Sequence, residues 1–248
     1  MFALLPACGY TSCVLLLALD TCDARGGVAL LEDNRVVDEI SHPPAEEYSS
    51  WLLPAADRIL AENNLSHSDL GGYAVASGPG SFTGVRIGLT TAKAWAEVYS
   101  KSIFPLSRLA VLAERAANSA RYAATFIDAQ RKQIFAALYL RESNGWRLAG
   151  EECVIDPLEF FPYALQTAGN SPMSWVSLDP ELLTDSSFWH SQNLAPRAVV
   201  RVDPPLASAI GLAVFPLMKE VGTDALALDA NYIRRSDAEI FGKKAAGT

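Results

Sequence analysis

The most informative segment of the sequence is residues 77–88, Ser77-Gly78-Pro79-Gly80-Ser81-Phe82-Thr83-Gly84-Val85-Arg86-Ile87-Gly88. An apolar segment, residues 73–76, precedes it and predicts a strand, and a proline-free segment, residues 85–100, predicts a helix. The glycines permit backbone angles and close approaches that a Cβ would forbid. The hydroxyl side chains of Ser81 and Thr83 can cap the helix that follows. The stretch therefore predicts a strand, a glycine turn and a helix.

The glycine turn has two interpretations. Its amides could hold an anion at the start of the helix, as phosphate-binding loops do. Alternatively, the glycines let the helix lie close to the sheet with nothing bound. Val85 and Arg86 follow Gly84 where a nucleotide-binding P-loop requires a lysine and a hydroxyl residue, and this difference slightly favours packing.

Length and composition indicate an ordinary globular protein. The chain has 248 residues, half of them hydrophobic, a net charge of -8 and a sequence pI near 4.9, so it can bury a full core. The acidic balance argues against independent nucleic-acid binding, which depends on clustered Lys and Arg. The apolar run 14–19 is too short to cross a bilayer, and the four cysteines show no CxxC pairing. We expect a cytoplasmic protein without disulfides and without a membrane contact.

The order of predicted elements divides the chain into two α/β lobes. We expect an extension over residues 1–13, an N-terminal lobe over 14–128 and a smaller C-terminal lobe over 129–248, with the return of the C-terminal helix or tail to the first lobe left open. The pattern predicts a meander of strands, at 14–21, 26–31 and 35–40. It predicts helices over 45–63, 107–118 and 157–165, a strand over 146–155, and a helix over 204–221 with Asp203 as its N-cap.

Little in the sequence indicates catalysis. The three histidines are expected at the surface or in loops, and no two of them have the i, i+4 spacing with which a helix binds a metal. No GxSxG segment, the motif of a nucleophilic serine, is present. We predict no metal and no cofactor. Asp20 and Asp128 lie at the C-terminal ends of predicted strands, where the ligand-binding and catalytic residues of α/β proteins are commonly found. For Asp128, capping of the following turn is the favoured role.

Further motifs carry a family resemblance. Leu19-Asp20-Thr21, Gly27-Val28-Ala29-Leu30, the glycine stretch, Ile127-Asp128-Ala129 and Tyr232-Ile233-Arg234 resemble TsaB (YeaZ, Gcp-like), the bacterial tRNA threonylcarbamoyladenosine biosynthesis family, over about residues 14–235. The resemblance implies an actin-like (ASKHA) α/β fold of two ribonuclease-H-like lobes, with mixed sheets flanked by helices. It implies a non-catalytic subunit that pairs with TsaD through a helix bundle and works with the ATPase TsaE. TsaD modifies adenosine 37 of tRNA, so tRNA contact would be indirect.

The resemblance also suggests site residues. The family motif, a vestigial phosphate loop, comprises Asp20, Thr21, Gly78, Gly80, Ser81, Thr83, Gly84 and Arg86. The candidate partner interface comprises Tyr48, Trp51, Gly88, Ala92, Trp95 and Ala96, although the small residues among them could equally pack on the chain's own sheet. The metal-binding HxxxH of TsaD, carried to this sequence, falls on Arg108 and Leu112, neither of which suits that metal.

Alternative functions remain open at this point. An ATP-dependent small-molecule kinase would use Asp20 to orient a metal-bound water and the glycine turn to hold phosphate. A metallopeptidase would need the absent histidine pair. The sequence leaves open whether the isolated chain is a monomer or a homodimer, its affinity for TsaD, its contact with TsaE, residual nucleotide binding, and the structure of residues 160–196.

Overall fold

The first half of the chain builds one mixed sheet. In the computed structural model, which describes residues 13–191 and 199–219, the order of this sheet is β3-β2-β1-β4-β5. The antiparallel meander consists of β1 (Leu15–Asp20), β2 (Gly27–Glu32) and β3 (Arg35–Ser41), and β4 (Gly72–Gly78) and β5 (Ser102–Ser107) join parallel to β1. The strands β1, β2 and β4 are almost entirely buried, as expected for a sheet covered on both faces.

The second half repeats this topology. Its strands are β6 (Tyr122–Asp128), β7 (Ile134–Glu142), β8 (Gly145–Leu148), β9 (Cys153–Ile155), β10 (Met173–Ser177) and β11 (Val199–Arg201). β6 pairs antiparallel with β7 and parallel with β10, β11 follows β10, and β8 and β9 both pair with β7. Each sheet therefore places its first strand between an antiparallel neighbour and a parallel one. The α/β fold class is confirmed, and this strand order is that of a ribonuclease-H-like lobe.

Helices cover both faces of the first sheet. On one face α1 (Tyr48–Glu62) and α2 (Phe82–Tyr99) pack side by side. On the other, α7 (Ala207–Val214) contacts β1, β2 and β4. α3 (Arg108–Ala113) packs against α7 and against strands of both sheets, β5 of the first and β6 and β7 of the second. The second sheet carries α4 (Pro157–Ala168), with α5 (Glu181–Thr184) and α6 (Ser187–Ser191) beside it. A helix from late in the chain thus completes the core of the first sheet.

The predicted helix over 204–221 is wrong at its start. A residue that precedes a proline disfavours helical angles, and Pro204 precedes Pro205, so α7 begins only at Ala207. Asp203 is consequently not its cap. The backbone amide of Ser208 is instead satisfied by Glu39 of β3, whose Oε1 accepts its hydrogen bond at 2.9 Å. After α7 the described chain ends in a short 3-10 turn, Leu217–Lys219.

Other differences are local. The predicted strand 146–155 is interrupted, because Gly150 adopts a φ of +114° between β8 and β9. The predicted helix 107–118 is shorter, as α3 ends at Ala113. Residues 160–191 contain the end of α4, a helix that the sequence predicted, together with β10, α5 and α6, which it did not predict. Residues 192–196 lie outside the described residues. The extension 1–13 lies almost wholly outside the described residues, and the lobe boundary at residue 128 stays a prediction.

Candidate functional site at the ends of β1 and β4

The glycine turn joins β4 to α2. Gly78 ends β4 with a φ of +115°, a backbone conformation that favours glycine. Ser81 is the N-cap of α2, and its Oγ accepts a hydrogen bond from the amide of Gly84 at 3.4 Å. The amide of Ser81 itself donates to the carbonyl of Cys22 at 2.6 Å. The turn is therefore tied to the segment that follows β1.

The glycines of this turn and helix face the end of β1 at very short range. A Cβ on Gly84 would lie 2.0 Å from the carbonyl oxygen of Thr21, and a Cβ on Gly80 would lie 2.2 Å from that of Cys22. At Gly88 a Cβ would lie 2.4 Å from Oγ1 of Thr21, and this hydroxyl donates a hydrogen bond to the carbonyl of Gly84 at 2.7 Å. Protein atoms from residues 21–22 thus fill the space beside the start of α2.

Thr83 and Arg86 lie on the other side of the helix. Both are exposed, and the Arg86 guanidinium stands over the Phe82 ring, 3.7 Å from its centroid. Ser81 is exposed as well, so the eight motif residues divide between a packed set at the ends of β1 and β4 and three exposed members, Ser81, Thr83 and Arg86.

Asp20 lies at the centre of the packed set. Its side chain is fully buried, with Oδ1 accepting a hydrogen bond from the amide of Cys22 at 3.0 Å. Its Oδ2 lies 3.2 Å from Nε of Arg108, the first residue of α3, which is also fully buried. The two atoms face each other without the alignment of a hydrogen bond. The pair is therefore held mainly by its charges.

Arg108 has further partners. Its Nη2 donates to Oδ2 of Asp23 at 2.8 Å, and its Nη1 donates to the carbonyl of Pro79 at 3.4 Å. A buried guanidinium requires such partners because desolvation of an unpaired charge is costly. One arginine therefore binds the end of β1, the loop after it and the glycine turn.

The electrostatics of this cluster follow from burial and from Arg108. Burial raises the pKa of Asp20, and Arg108 opposes that shift. Burial alone would also raise the pKa of Asp23, but Arg108, together with Arg25, outweighs it and lowers this pKa to about 2. Burial and the neighbouring Asp20 carboxylate raise the pKa of the Cys22 thiol well above its usual value, so this thiol is neutral and is not an activated nucleophile.

A chain of ion pairs continues into the second sheet. Arg25 pairs with Asp23 at 3.0 Å and with Asp179, just after β10, at 2.6 Å. Asp179 also accepts a hydrogen bond from the amide of Asp128 at 3.1 Å. The carboxylate of Asp128 caps its own turn by accepting from the backbone amide and the side-chain amide of Gln130, which confirms the turn-capping role.

The six candidate interface residues lie on α1 and α2. All are buried within the chain itself: Tyr48, Trp51, Gly88, Ala92, Trp95 and Ala96. Gly88 packs on Thr21, and the Tyr48 hydroxyl donates to the carbonyl of Asp23 at 2.6 Å. The ridge of small residues thus brings α2 onto the chain's own sheet, which is the alternative that the sequence left open, and a contact of these six residues with a partner stays a prediction. The outward faces of the same helices are exposed.

Those outward faces carry large apolar side chains. The exposed fraction is 49% for Leu53 on α1, and on α2 it is 38% for Phe82 and 72% for Val98. Exposed positions recur along α2 at four-residue intervals, at Phe82, Arg86, Thr90, Ala94 and Val98. Side chains four apart lie on one face of a helix. The two neighbouring helices therefore present a surface with apolar side chains on both.

Two histidines are buried within the chain, His42 and His67. His42 lies in the loop after β3, as the expectation of a surface or loop position allowed, whereas His67 begins a short 3-10 turn, His67–Asp69, and is not at the surface. His67 stacks on Tyr99 with ring centroids 5.0 Å apart, and its Nδ1 lies 3.0 Å from the hydroxyl of Tyr73. Within residues 13–191 and 199–219, no cluster of three His, Cys, Asp or Glu side chains could hold a metal.

A cavity of about 240 Å³ lies beside the second sheet, away from Asp20. Its walls are mostly apolar and come from β7, the loop after β8, β9 and α4: Leu138, Ala149, Glu151, Cys153, Ile155, Phe160 and Tyr163. None of the motif residues lines it, so this cavity is separate from the candidate site.

Comparison with known proteins supplies the family. The family model for TsaD, tRNA N6-adenosine threonylcarbamoyltransferase, matches residues 39–195. The chain is also 34% identical to the tRNA threonylcarbamoyladenosine biosynthesis protein TsaB of Escherichia coli over 176 residues, which cover 67% of this chain and 75% of that protein. The chain belongs to the TsaB family. The TsaB protein of Bacillus subtilis is 35% identical over 50% of this chain, and the match spans about half of that relative, 54% of its length.

A solved TsaB-family structure supports the fold. YeaZ from Pseudomonas aeruginosa superimposes with a TM-score of 0.66 at 26% identity, covering 88% of this chain and 99% of that one. The matched region includes both sheets, since it takes in most of the chain. No helix in the described part of the chain is long and apolar enough to cross a membrane.

Sequence reasoning missed the partners of Asp20. Arg108 was considered only as a position unsuited to a metal, and Asp23, Arg25 and Asp179 were not singled out. A signal was present in the sequence, because Arg108 and Asp179 each come within two residues of a strand end, and ends of parallel strands meet at one edge.

Proposed function

We propose that this chain is a non-catalytic subunit of the assembly that makes N6-threonylcarbamoyladenosine at position 37 of tRNA. In this role it pairs with TsaD, works with the ATPase TsaE and acts in the cytoplasm. Membership of the TsaB family is the observation that carries the proposal, because relatives in that family are named for tRNA threonylcarbamoyladenosine biosynthesis.

The state of Asp20 supports the non-catalytic part. A general base or metal-orienting carboxylate must reach the reacting groups, whereas Asp20 is sealed from solvent and faces Arg108. The start of α2, where a phosphate would sit in an anion site, is filled by Thr21 and Cys22.

The partner surface follows from exposure. We place TsaD on the outward faces of α1 and α2, where Leu53, Phe82 and Val98 are exposed. The match of the TsaD family model to residues 39–195 supports pairing of two similar folds, because related folds present similar helix faces to each other. With a net charge of -8, the chain would meet tRNA only through its partners.

The alternative is an ATP-dependent small-molecule kinase of the same superfamily. It needs a nucleotide cleft in which Asp20 is accessible. Isothermal titration calorimetry with ATP and Mg²⁺ separates the two, because the scaffold role requires no tight nucleotide binding. A saturable site of micromolar affinity would favour the kinase.

Reconstitution tests the proposed function. TsaD from the same organism, TsaE, ATP, threonylcarbamoyl-adenylate and tRNA are combined with and without this chain, and modified adenosine is scored by mass spectrometry over multiple turnovers. We expect modification to depend on the chain. Equal modification in its absence would refute the accessory role.

The oligomeric state needs a separate measurement. Light scattering of the isolated chain, and of its mixture with TsaD, gives the mass of each species and so shows whether the chain is a monomer or a homodimer and whether it forms a heterodimer with TsaD.

A further inference from the structure

Arg108 occupies an anionic site inside the chain. Two carboxylates, Asp20 and Asp23, approach its guanidinium at 3.2 Å and 2.8 Å, and the carbonyl of Pro79 lies 3.4 Å from it. Asp20 is fully buried and Asp23 is mostly so. Without the guanidinium, the buried Asp20 carboxylate would lose its counter-charge, and Asp23 would keep only the partly exposed Arg25, 3.0 Å away.

The oxygens around Arg108 are of the kind that binds small cations. Carboxylate and backbone carbonyl oxygens are the usual ligands of hard divalent ions and the usual partners of a guanidinium. Oδ2 of Asp20 makes no hydrogen bond among the described residues, although it is buried. This oxygen, 3.2 Å from Nε of Arg108, can therefore still accept a hydrogen bond or bind a cation.

Arg108 also reaches this place from a different element. It begins α3, directly after β5, whereas the carboxylates belong to β1 and the loop that follows it. The site is thus assembled from separate segments of the chain, and the arginine is the component that a bound cation could replace.

We propose that Arg108 is a built-in cation that fills a latent cation site formed by Asp20, Asp23 and the Pro79 carbonyl. The site accepts a small free cation, a guanidinium ion or Mg²⁺, once the side chain is removed. The native chain holds no such ion there because its own guanidinium excludes it. This inference concerns the isolated chain and stands whether or not the chain takes part in tRNA modification.

Chemical rescue of Arg108→Ala tests the proposal. Breaking a buried pair leaves unpaired charge, so we expect Tm to fall by about 10 °C or more. Guanidinium chloride or MgCl2 at low millimolar concentration should recover part of this loss in a saturable way at constant ionic strength. Tetramethylammonium chloride, whose cation is bulky and has no N–H donor, should not. The unaltered protein should show no saturable rise with any of them.

Matched variants complete the test. Arg25→Ala removes a guanidinium from the same network, but from a site with 38% of the side chain exposed, and we expect no saturable rescue there. Asp20→Asn combined with Asp23→Asn in the Arg108→Ala background should lose the rescue. If Arg108→Ala does not fold alone, the same salts are added during refolding from urea. Recovery with either cation supports the proposal, and recovery with neither overturns it.

Discussion

Nη1 of Arg25 lies 2.6 Å from Oδ1 of Asp179, and this ion pair joins the loop after β1 in the first sheet to the end of β10 in the second. Nη2 of the same arginine reaches Asp23, which in turn holds Arg108. The two sheets are thereby connected through charges at the edge where both first strands end. This connection leads to the first prediction.

Replacing both Arg25 and Asp179 should reveal a favourable coupling between them. In a double-mutant cycle of Arg25→Met and Asp179→Asn, we expect a coupling energy of about 0.5 to 1 kcal/mol, reduced by the partial exposure of the arginine. Urea unfolding measures it. The pair Arg201 and Glu181, more than half exposed on both sides, is the control and should show no measurable coupling. Equal coupling in both cycles would contradict the special role of the first pair.

Gly84→Ala should destabilise the protein although alanine favours helices. The added Cβ would lie 2.0 Å from the carbonyl oxygen of Thr21, and overpacking at such a site costs about 1 to 3 kcal/mol, against a helix-propensity gain of about 1 kcal/mol. Urea unfolding should show a net loss. Thr90→Ala on the exposed side of α2 should leave stability nearly unchanged, and a stabilised Gly84→Ala would show that the helix can shift away.

Val98→Asp should weaken the complex with TsaD while leaving the fold intact. Val98 is 72% exposed on α2, and a charge there would have to lose its hydration on burial against a partner. Binding by calorimetry should fall by at least about tenfold. Leu158→Asp on α4, 54% exposed, is the matched control and should bind normally. Equal affinities for the two variants would place the partner elsewhere.

The stability of the chain should fall on mild acidification because of His67. Burial lowers the pKa of His67, with Asp57 opposing the shift, so the folded state prefers the neutral ring. Its contribution is fully present above the unfolded pKa of about 6.5 and is lost as pH falls through the lower folded value.

Urea unfolding at about pH 7.5 and about pH 5 checks this sign. The difference in the free energy of unfolding between the two pH values should be smaller in His67→Phe than in the unaltered protein. His190→Gln, which removes an exposed histidine, should leave the difference unchanged. A difference unaffected by His67→Phe would contradict the assignment.

The sequence predicted local structure well where periodicity and turn chemistry agree. The meander, the glycine turn and α2 follow from strand alternation, turn residues and the cap at Ser81. It could not show which side of α2 meets the sheet, because a ridge of small residues fits either a partner or the chain's own core. Nor could it reveal the pairing of Asp20 with Arg108, since this contact joins residues 88 positions apart and depends on how the strands assemble. The start of α7 was missed because the effect of Pro205 on the backbone of Pro204 was not weighed, and because the amide of Ser208 is satisfied by Glu39, far away in the sequence.

The packing of α7 has a consequence for folding on the ribosome. This helix covers β1, β2 and β4, and its Gly211 lies so close to Leu31 that a Cβ would come within 2.3 Å of that side chain. The ribosome completes β1 long before α7, on the order of 10 to 40 seconds earlier at about 5–20 residues per second. One apolar face of the nascent first sheet therefore stays uncovered through most of translation, so that a chaperone able to shield it would act before α7 emerges.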